Sequence, residues 1–328
     1  MTLTRRDMLV GAAATPVALA GMPAFGQDAW PSRDIHVICG YAPGTGADIL
    51  VRYFTEKLRP YTKRPMVVEN KVGAGTTIAA EYVARAKPDG YTLYINPGNG
   101  MASNPYLYKN LPHDVIKDFA PVTTLVKLPF VLCVASNSPA KNIADFLKLM
   151  KEKGDKASYG YPNNISLAAG ELLKERTGGA IKAVSVAYKS TPDALNDMNN
   201  GLLDFLWSDA TFGLAQAKGG KMRALAVTSN TRSALDPSLP TIQESGVPNF
   251  HVEAWWGAWY PAKTPQPIVD QTAKWLNEIL ASPETQEFLA KNAPSEPFPG
   301  TPESALEYLK ADIPRWAEMF TIAKVDPQ

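Results

Sequence analysis

A glycine-rich turn, "GYAPGTGAD" at residues 40–48, is where the residue types of this sequence could do chemistry. The turn follows the apolar run "IHVIC" (35–39) and precedes an amphipathic run (46–61), which predicts a strand, a turn and a helix. Glycines let a backbone approach a ligand, and the first turn of a helix presents free N–H groups and a positive dipole end. Such a turn can hold phosphate or carboxylate without a cationic side chain. In the alternative, this is a plain strand–helix turn in which Asp48 only favours the first helical turn.

Four later turns share this character. They begin predicted helices with mostly small polar residues, and they read "PGNGMASN" (97–104), "YPNNIS" (161–166), "YKSTPD" (188–193) and "WSDATF" (207–212). In an α/β sheet, ligands bind outside the carboxyl ends of the strands. Turns from two domains that face across a cleft would hold an acidic small molecule with N–H groups, hydroxyls and amides. For each turn taken alone, ordinary helix capping is the alternative.

Motifs for catalysis are poorly supported. A phosphate-binding P-loop needs a lysine that the glycine-rich turn lacks, and a dinucleotide fingerprint needs a third small residue where Ile49 stands after Gly44 and Gly46. An exported dinucleotide-dependent oxidoreductase nevertheless stays as the alternative function. The three histidines, His36, His113 and His251, lack the spacing of metal ligands. The sequence therefore predicts no catalytic residue, no metal and no cofactor.

The amino terminus carries the features of an export signal. Arg5 and Arg6 precede a short apolar run (8–20) and a small-x-small pattern that ends at Gly26. We expect cleavage of this twin-arginine signal peptide (1–26) near Gly26–Gln27 and a periplasmic mature protein. Removing residues 1–26 leaves 31 basic and 31 acidic residues. This neutral balance gives no electrostatic signature for nucleic acid or an anionic membrane.

The order of the elements predicts an α/β protein of two domains. Predicted strands cover 35–40, 65–70, 91–96, 130–135, 157–161, 183–188, 202–207, 222–228 and 251–262; predicted helices cover 46–61, 76–86, 142–153, 164–178, 190–201 and the chain after 267. The final helices should pack on an existing sheet. We therefore assign residues 27–124 and 252–328 to one domain and 125–251 to the other. Crossings near 121–132 and 248–262 would form a hinge.

Long stretches of the sequence resemble a known family. The segments "VVENKVGAGTTIAAEYVARAKPDGYTL" (67–93), "AAGELLKERTG" (168–178) and "GKMRALAVTS" (220–229) resemble the Bug-type extracytoplasmic solute-binding receptors of tripartite tricarboxylate transporters. The resemblance implies a periplasmic-binding-protein fold (Venus flytrap, type II), with two mixed, mostly parallel sheets and a ligand cleft at the hinge. It also implies capture of a small carboxylate, whether dicarboxylate, tricarboxylate or aromatic, and its delivery to a membrane permease. We expect a monomer without catalysis; a receptor that feeds a sensor is a second alternative.

The resemblance also implies a set of ligand-binding residues. The first loop of the family falls on Tyr41 to Asp48, and its counterpart in the other domain falls on Tyr161 to Ser166. The predicted set is Tyr41, Pro43, Gly44, Thr45, Gly46, Ala47, Asp48, Asn96, Gly98, Asn99, Pro162, Asn163, Asn164, Ser166, Lys189, Ser190, Thr191, Asp209 and Trp256. Thr45 to Asp48 would hold one carboxylate, and Asp209 would accept hydrogen bonds from the ligand or order a loop.

Some positions depart from the family pattern. The usual "YKG" is "YKS" here, and the segment that usually reads like "SWFGLLAP" is "AWWGAWYP" (254–261). Trp255, Trp256, Trp259 and Tyr260 could stack on an aromatic or bulky acid, or they could pack in the hinge and core. Cys39 and Cys133 lie in apolar runs, and we interpret them as buried free thiols, with a disulfide as the alternative.

Overall fold

Strands and helices alternate along the computed structural model, which describes residues 30–325. The predicted signal peptide lies outside these residues. The strands are β1 (Ile35–Cys39), β2 (Met66–Asn70), β3 (Thr92–Pro97), β4 (Phe119–Ala135), β5 (Ser158–Tyr161), β6 (Val184–Ala187), β7 (Phe205–Asp209), β8 (Met222–Val227), β9 (Glu253–Pro261) and β10 (Glu296–Pro297). The helices are α1 (Gly46–Thr62), α2 (Thr77–Ala84), α3 (Gly98–Leu107), α4 (Ile143–Lys153), α5 (Asn164–Arg176), α6 (Thr191–Asn199), α7 (Ala210–Lys218), α8 (Gln266–Ala281), α9 (Pro283–Lys291) and α10 (Pro302–Ala323).

The strands form two sheets that share β4. The first sheet has the order β2-β1-β3-β9-β4, and the second has the order β4-β7-β5-β6, with β8 also paired to β4. The amino-terminal part of β4, residues 119–129, pairs with β9, and residues 130–135 pair with β7 and β8. We call the elements on these sheets the first lobe and the second lobe. This two-lobed α/β fold confirms the predicted fold class, while the residue limits of the two domains stay a prediction.

Both sheets are mixed, as predicted. The parallel pairs β1–β2, β1–β3, β5–β6 and β5–β7 are joined by five antiparallel pairings among the described strands, so the parallel share is smaller than expected. The antiparallel pairs all involve β9 or β4, and β4 is the strand that both sheets share. The sequence did not predict the first part of β4, where Pro121 and Pro129 interrupt the apolar pattern. Pro121 lies at a register shift, where a missing N–H is tolerated.

The final helices return to existing sheets, as expected. Side chains of α8, including Val269 and Leu276, join the core formed by Ile35, Val37 and Phe54. The last helix, α10, packs against α3 of the first lobe and against α5 of the second. Besides these helices the segment contains the short strand β10, which was not predicted.

The two cysteines are buried and free, as we interpreted them. Cys39 ends β1 in the first lobe and Cys133 lies on β4 in the part that pairs with the second lobe, and no disulfide joins them. Burial raises the pKa of both thiols. Both side chains therefore act as small apolar groups of the core.

Candidate functional site

The glycine-rich turn is held by the side chain of Asp48. Its Oδ2 accepts from the N–H of Gly44 at 2.9 Å and from Nε of Arg52 at 2.8 Å, and its Oδ1 accepts from Nδ2 of Asn70 at 2.7 Å. Burial by itself would raise the pKa of Asp48, but these hydrogen bonds outweigh it and the pKa lies below the ordinary value. Gly44 has φ of 80°, which glycine adopts without strain. Asp48 thus fixes the shape of the turn by joining it to α1 and β2.

The start of α1 presents two free N–H groups. Thr45 caps the helix, because its Oγ1 accepts from the N–H of Asp48 and its carbonyl accepts from that of Ile49. Within residues 30–325, no hydrogen bond uses the N–H of Gly46 or Ala47. The positive end of the helix dipole lies at the same place. This arrangement can bind an anion without a cationic side chain.

These two residues line a cleft of about 310 Å³ between the lobes. Its walls are formed by Gly46, Ala47, Leu50, Val126, Leu128, Asp209, Thr211, Trp256, Asn292, Ala293, Pro294 and Ser295. The volume lies at the small end of the range for ligand pockets. We call this space the interlobe cleft. Of the predicted set, it brings together Gly46, Ala47, Asp209 and Trp256.

Asp209 is the acidic side chain of the cleft. It caps α7, and its Oδ1 accepts from the N–H of Phe212 at 2.9 Å. Burial raises its pKa above the ordinary carboxyl value, and hydrogen bonds from the start of α7 offset only part of this effect. Asp209 also lines the cleft, so its carboxyl group lies where a ligand can reach it.

The aromatic segment of β9 divides between the cleft and the core. Alternate residues of a strand point to opposite faces. Trp255 and Trp259 are 1% exposed and pack in one core cluster, and Tyr260 is buried in the other. Trp256 is 9% exposed and lines the cleft. The centroid of its ring lies 6.2 Å from the centroid of the Tyr41 ring. Core packing is thus the role of three of these side chains, and Trp256 alone among the four reaches the cleft.

The start of α3 lies beside β9. Pro97 pairs with Trp256, and a side chain at Gly98 would meet the ring of Trp255. The side-chain oxygens of Asn96 and Asn99 are buried and have no partner among the described residues. Neither asparagine lines the interlobe cleft, so their contact with a ligand stays a prediction.

The two predicted turns of the second lobe do not line the cleft either. The side-chain oxygen of Asn163 accepts from the N–H of Ser166 at 2.9 Å. The Ser166 hydroxyl lies 3.1 Å from that oxygen and 3.1 Å from the carbonyl of Trp207, and its single proton is shared between these two acceptors. Ser190 caps α6 through the N–H of Asp193. The side chains of Asn163, Ser166 and Ser190 therefore form the hydrogen bonds at the starts of α5 and α6. Such helix capping was the alternative interpretation of these two turns. A role in ligand binding for Pro162, Asn163, Asn164, Ser166, Lys189, Ser190 and Thr191 stays a prediction.

Several residues of the cleft were not predicted from the sequence. Leu50, Val126 and Leu128 belong to an apolar helix face and strand whose exposure to a cleft has no sequence signal. The segment 292–295 arrives after α9, more than 240 residues after the glycine-rich turn. It is tied to the second lobe, because the Thr211 hydroxyl donates to the carbonyl of Pro294 at 2.7 Å. Such a long-range contact leaves no local pattern.

In the described part of the chain, no three His, Cys, Asp or Glu side chains are placed to hold a metal ion. No helix there is both long and apolar enough to cross a bilayer.

Two α/β lobes with a ligand-sized cleft between them define the class of periplasmic-type solute-binding proteins. A family model described as "Tripartite tricarboxylate transporter family receptor" matches residues 50–323. The chain belongs to this family, and the resemblance to its Bug-type receptors is confirmed.

Solved structures support the same assignment. The periplasmic binding protein BugD is 34% identical, with a TM-score of 0.71 over 91% of this chain and 100% of its own. A Rhodopseudomonas palustris protein solved with adipate is 28% identical, with a TM-score of 0.75 over 91% of this chain and 100% of its own. MatC from the same organism, with bound malate, is 26% identical, with a TM-score of 0.69 over 88% of this chain and 99% of its own.

Proposed function

We propose that this protein is a periplasmic receptor that captures a small carboxylate in the interlobe cleft. The observation that carries the proposal is the pair of free N–H groups of Gly46 and Ala47, two residues that line that cleft. They can hold one carboxylate together with the dipole of α1. Two related structures contain adipate and malate, and both ligands are small carboxylates.

Closure of the two lobes over the ligand would create a surface that a membrane permease can bind. The receptor would then deliver the ligand to this permease. The twin-arginine signal would bring the chain to the periplasm, where it acts as a monomer without catalysis. Loss of ligand uptake in cells that lack the receptor would support transport. Unchanged uptake with a lost transcriptional response to the ligand would favour the sensor alternative.

The dinucleotide alternative has less support. Ile49 occupies the position where the fingerprint needs a small residue, and its side chain is 42% exposed rather than packed against a strand. A cleft of about 310 Å³ also suits a small acid better than a dinucleotide.

A thermal-shift screen tests the proposal. The panel contains dicarboxylates of four to six carbons, citrate, acidic amino acids, aromatic mono- and dicarboxylates, and nicotinamide dinucleotides. A ligand at 100 times its Kd stabilises the folded state by about 2.7 kcal/mol. A shift with one class of acid supports the receptor; a shift only with a dinucleotide refutes it.

A further inference from the structure

The joint between the two lobes leaves their relative orientation to contacts made elsewhere. The strand β4 changes partners at this joint, because Pro129 still pairs with Glu253 of β9, whereas Phe130 already pairs with Asp209 of β7. Movement of one lobe against the other bends the chain at a few such positions. The contacts that the lobes make away from the joint therefore decide how they enclose the interlobe cleft.

One segment of the first lobe makes such contacts directly beside the cleft. Residues 292–297 follow α9, and we call them the strap. The end of the strap belongs to the first sheet as β10, which pairs with β4. The first four residues of the strap line the cleft, and the carbonyl of Pro294 accepts from the hydroxyl of Thr211 on α7 at 2.7 Å. The strap thus forms a wall of the cleft and also contacts the second lobe.

The carboxylate of Glu296 joins the strap to the second lobe. Its Oε1 accepts from the N–H of Ala234 at 2.9 Å and from the hydroxyl of Ser233, both in the segment that follows β8. Its Oε2 lies 3.6 Å from Nζ of Lys127, on the part of β4 that belongs to the first sheet. The side chain of Glu296 is 12% exposed and Ser233 is buried. One carboxylate therefore contacts both lobes where little water reaches, and hydrogen bonds to a charged acceptor are strong in such a place.

The last helix, α10, also joins the lobes, but its polar contacts are placed differently. Arg176 of α5 pairs with Glu318 of α10, whose side chain is half-exposed, and neither residue lines the cleft. Exposed ion pairs contribute little to stability. Arg315 of the same helix contacts His251, which lies two residues before β9 and therefore at the joint itself. We therefore expect the contacts of the strap to have the larger effect on how the lobes enclose the cleft.

We propose that the strap ties the two lobes together and that Glu296 is the positioning residue that keeps the second lobe where both lobes line the interlobe cleft. A ligand that binds groups of both lobes selects this arrangement, so its apparent affinity falls when less of the protein adopts it. This inference rests on the proposed function and deepens it, because it names a residue outside the cleft lining that controls affinity.

The distance between the lobes tests the inference without any ligand. Spin labels are attached to cysteines introduced at exposed positions of the two lobes, by Glu56→Cys on α1 and Lys151→Cys on α4, since the two native thiols are buried. Double electron–electron resonance then measures the distribution of distances between the labels. We expect Glu296→Ala to shift or broaden this distribution. Should that variant fail to fold, Glu296→Gln is measured in the same way.

The same variants are titrated with the tightest acid from the screen. We expect Glu296→Ala to raise Kd about threefold or more, as when the fraction of protein in the competent arrangement falls to about a third. Glu296→Gln keeps an acceptor oxygen for the N–H of Ala234 and should lie between Glu296→Ala and the unaltered protein. The matched control Glu287→Ala removes an exposed carboxylate whose partner, Lys291, lies on the same helix, and it should change neither measurement.

An unchanged distance distribution in the Glu296 variants overturns the inference whatever happens to Kd, because the residue would then act only within its own lobe. If no acid binds the unaltered protein, the proposed function fails, and the distance measurement still decides whether the strap ties the lobes.

Discussion

The substitution Gly46→Val separates ligand binding from folding. A Cβ atom at Gly46 would meet no atom within 4 Å, and the backbone there does not need a positive φ. The valine side chain therefore fits the free protein and projects into open space beside the N–H groups of residues 46 and 47. We expect the free energy of unfolding to change by no more than about 0.5 kcal/mol, as for other surface positions.

Binding should suffer far more. Each hydrogen bond from an N–H group to a charged ligand contributes about 1.5–3 kcal/mol, and the helix dipole adds roughly 0.3–1 kcal/mol. Covering one of these N–H groups and losing the dipole interaction therefore costs about 2–4 kcal/mol. This corresponds to a loss of affinity of roughly 30-fold to a thousand-fold.

The assay is calorimetric titration of the tightest acid from the screen, with thermal unfolding of the same samples. Gly219→Val is the control, because Gly219 is exposed at the end of α7, outside the cleft, and has only ordinary contacts at 3.5 Å. Affinity of Gly46→Val within threefold of the unaltered protein would show that the carboxylate binds elsewhere. A large loss of thermal stability would show that the space around Gly46 is not open.

Three further predictions concern the fold and the cleft wall. Gly98→Ala places a Cβ about 2.2 Å from the ring of Trp255 and should lower the free energy of unfolding by roughly 1–3 kcal/mol in urea denaturation; an unchanged midpoint would contradict this. Despite its burial, Asp48 has a lowered pKa, so its ionised form stabilises the fold above the ordinary carboxyl pKa of about 4 and this stabilisation is lost below it. The stability gap between the unaltered protein and Asp48→Asn should therefore narrow from pH 7 to pH 3, and a constant gap would refute the assignment. Ligand binding should change the tryptophan emission of the protein but not that of Trp256→Phe.

Local sequence was sufficient for most of the turn that begins α1. The bonds from Gly44 to Asp48 and from Asp48 to Thr45 span four and three residues and could be expected from the local sequence, whereas the bond from Asn70 on β2 to Asp48 could not. The order of strands and helices was likewise read from apolar periodicity, which reports how each segment buries one face. Family resemblance then implied that the two predicted domains form a periplasmic-binding-protein fold with a cleft at the hinge.

The role of the aromatic strand β9 needed the tertiary structure. Alternation shows that Trp255 and Trp259 share one face and that Trp256 lies on the other. It does not show which face an adjoining layer covers completely. In the structure α10 closes the first face, where Asp312 accepts from the indole N–H of Trp255 at 2.8 Å, and the cleft leaves Trp256 accessible.

The same limit applies to the part of the cleft that Asp209 and Ser295 line. Asp209 was predicted from its turn, but Ser295 comes from the segment after α9, distant in sequence. Sequence alone determined which short segments become strands, helices and capped turns, because those interactions join neighbouring residues. Only the tertiary structure decided which of these segments share one cleft, because that depends on how the chain returns across β4 and β9 to pack one lobe against the other.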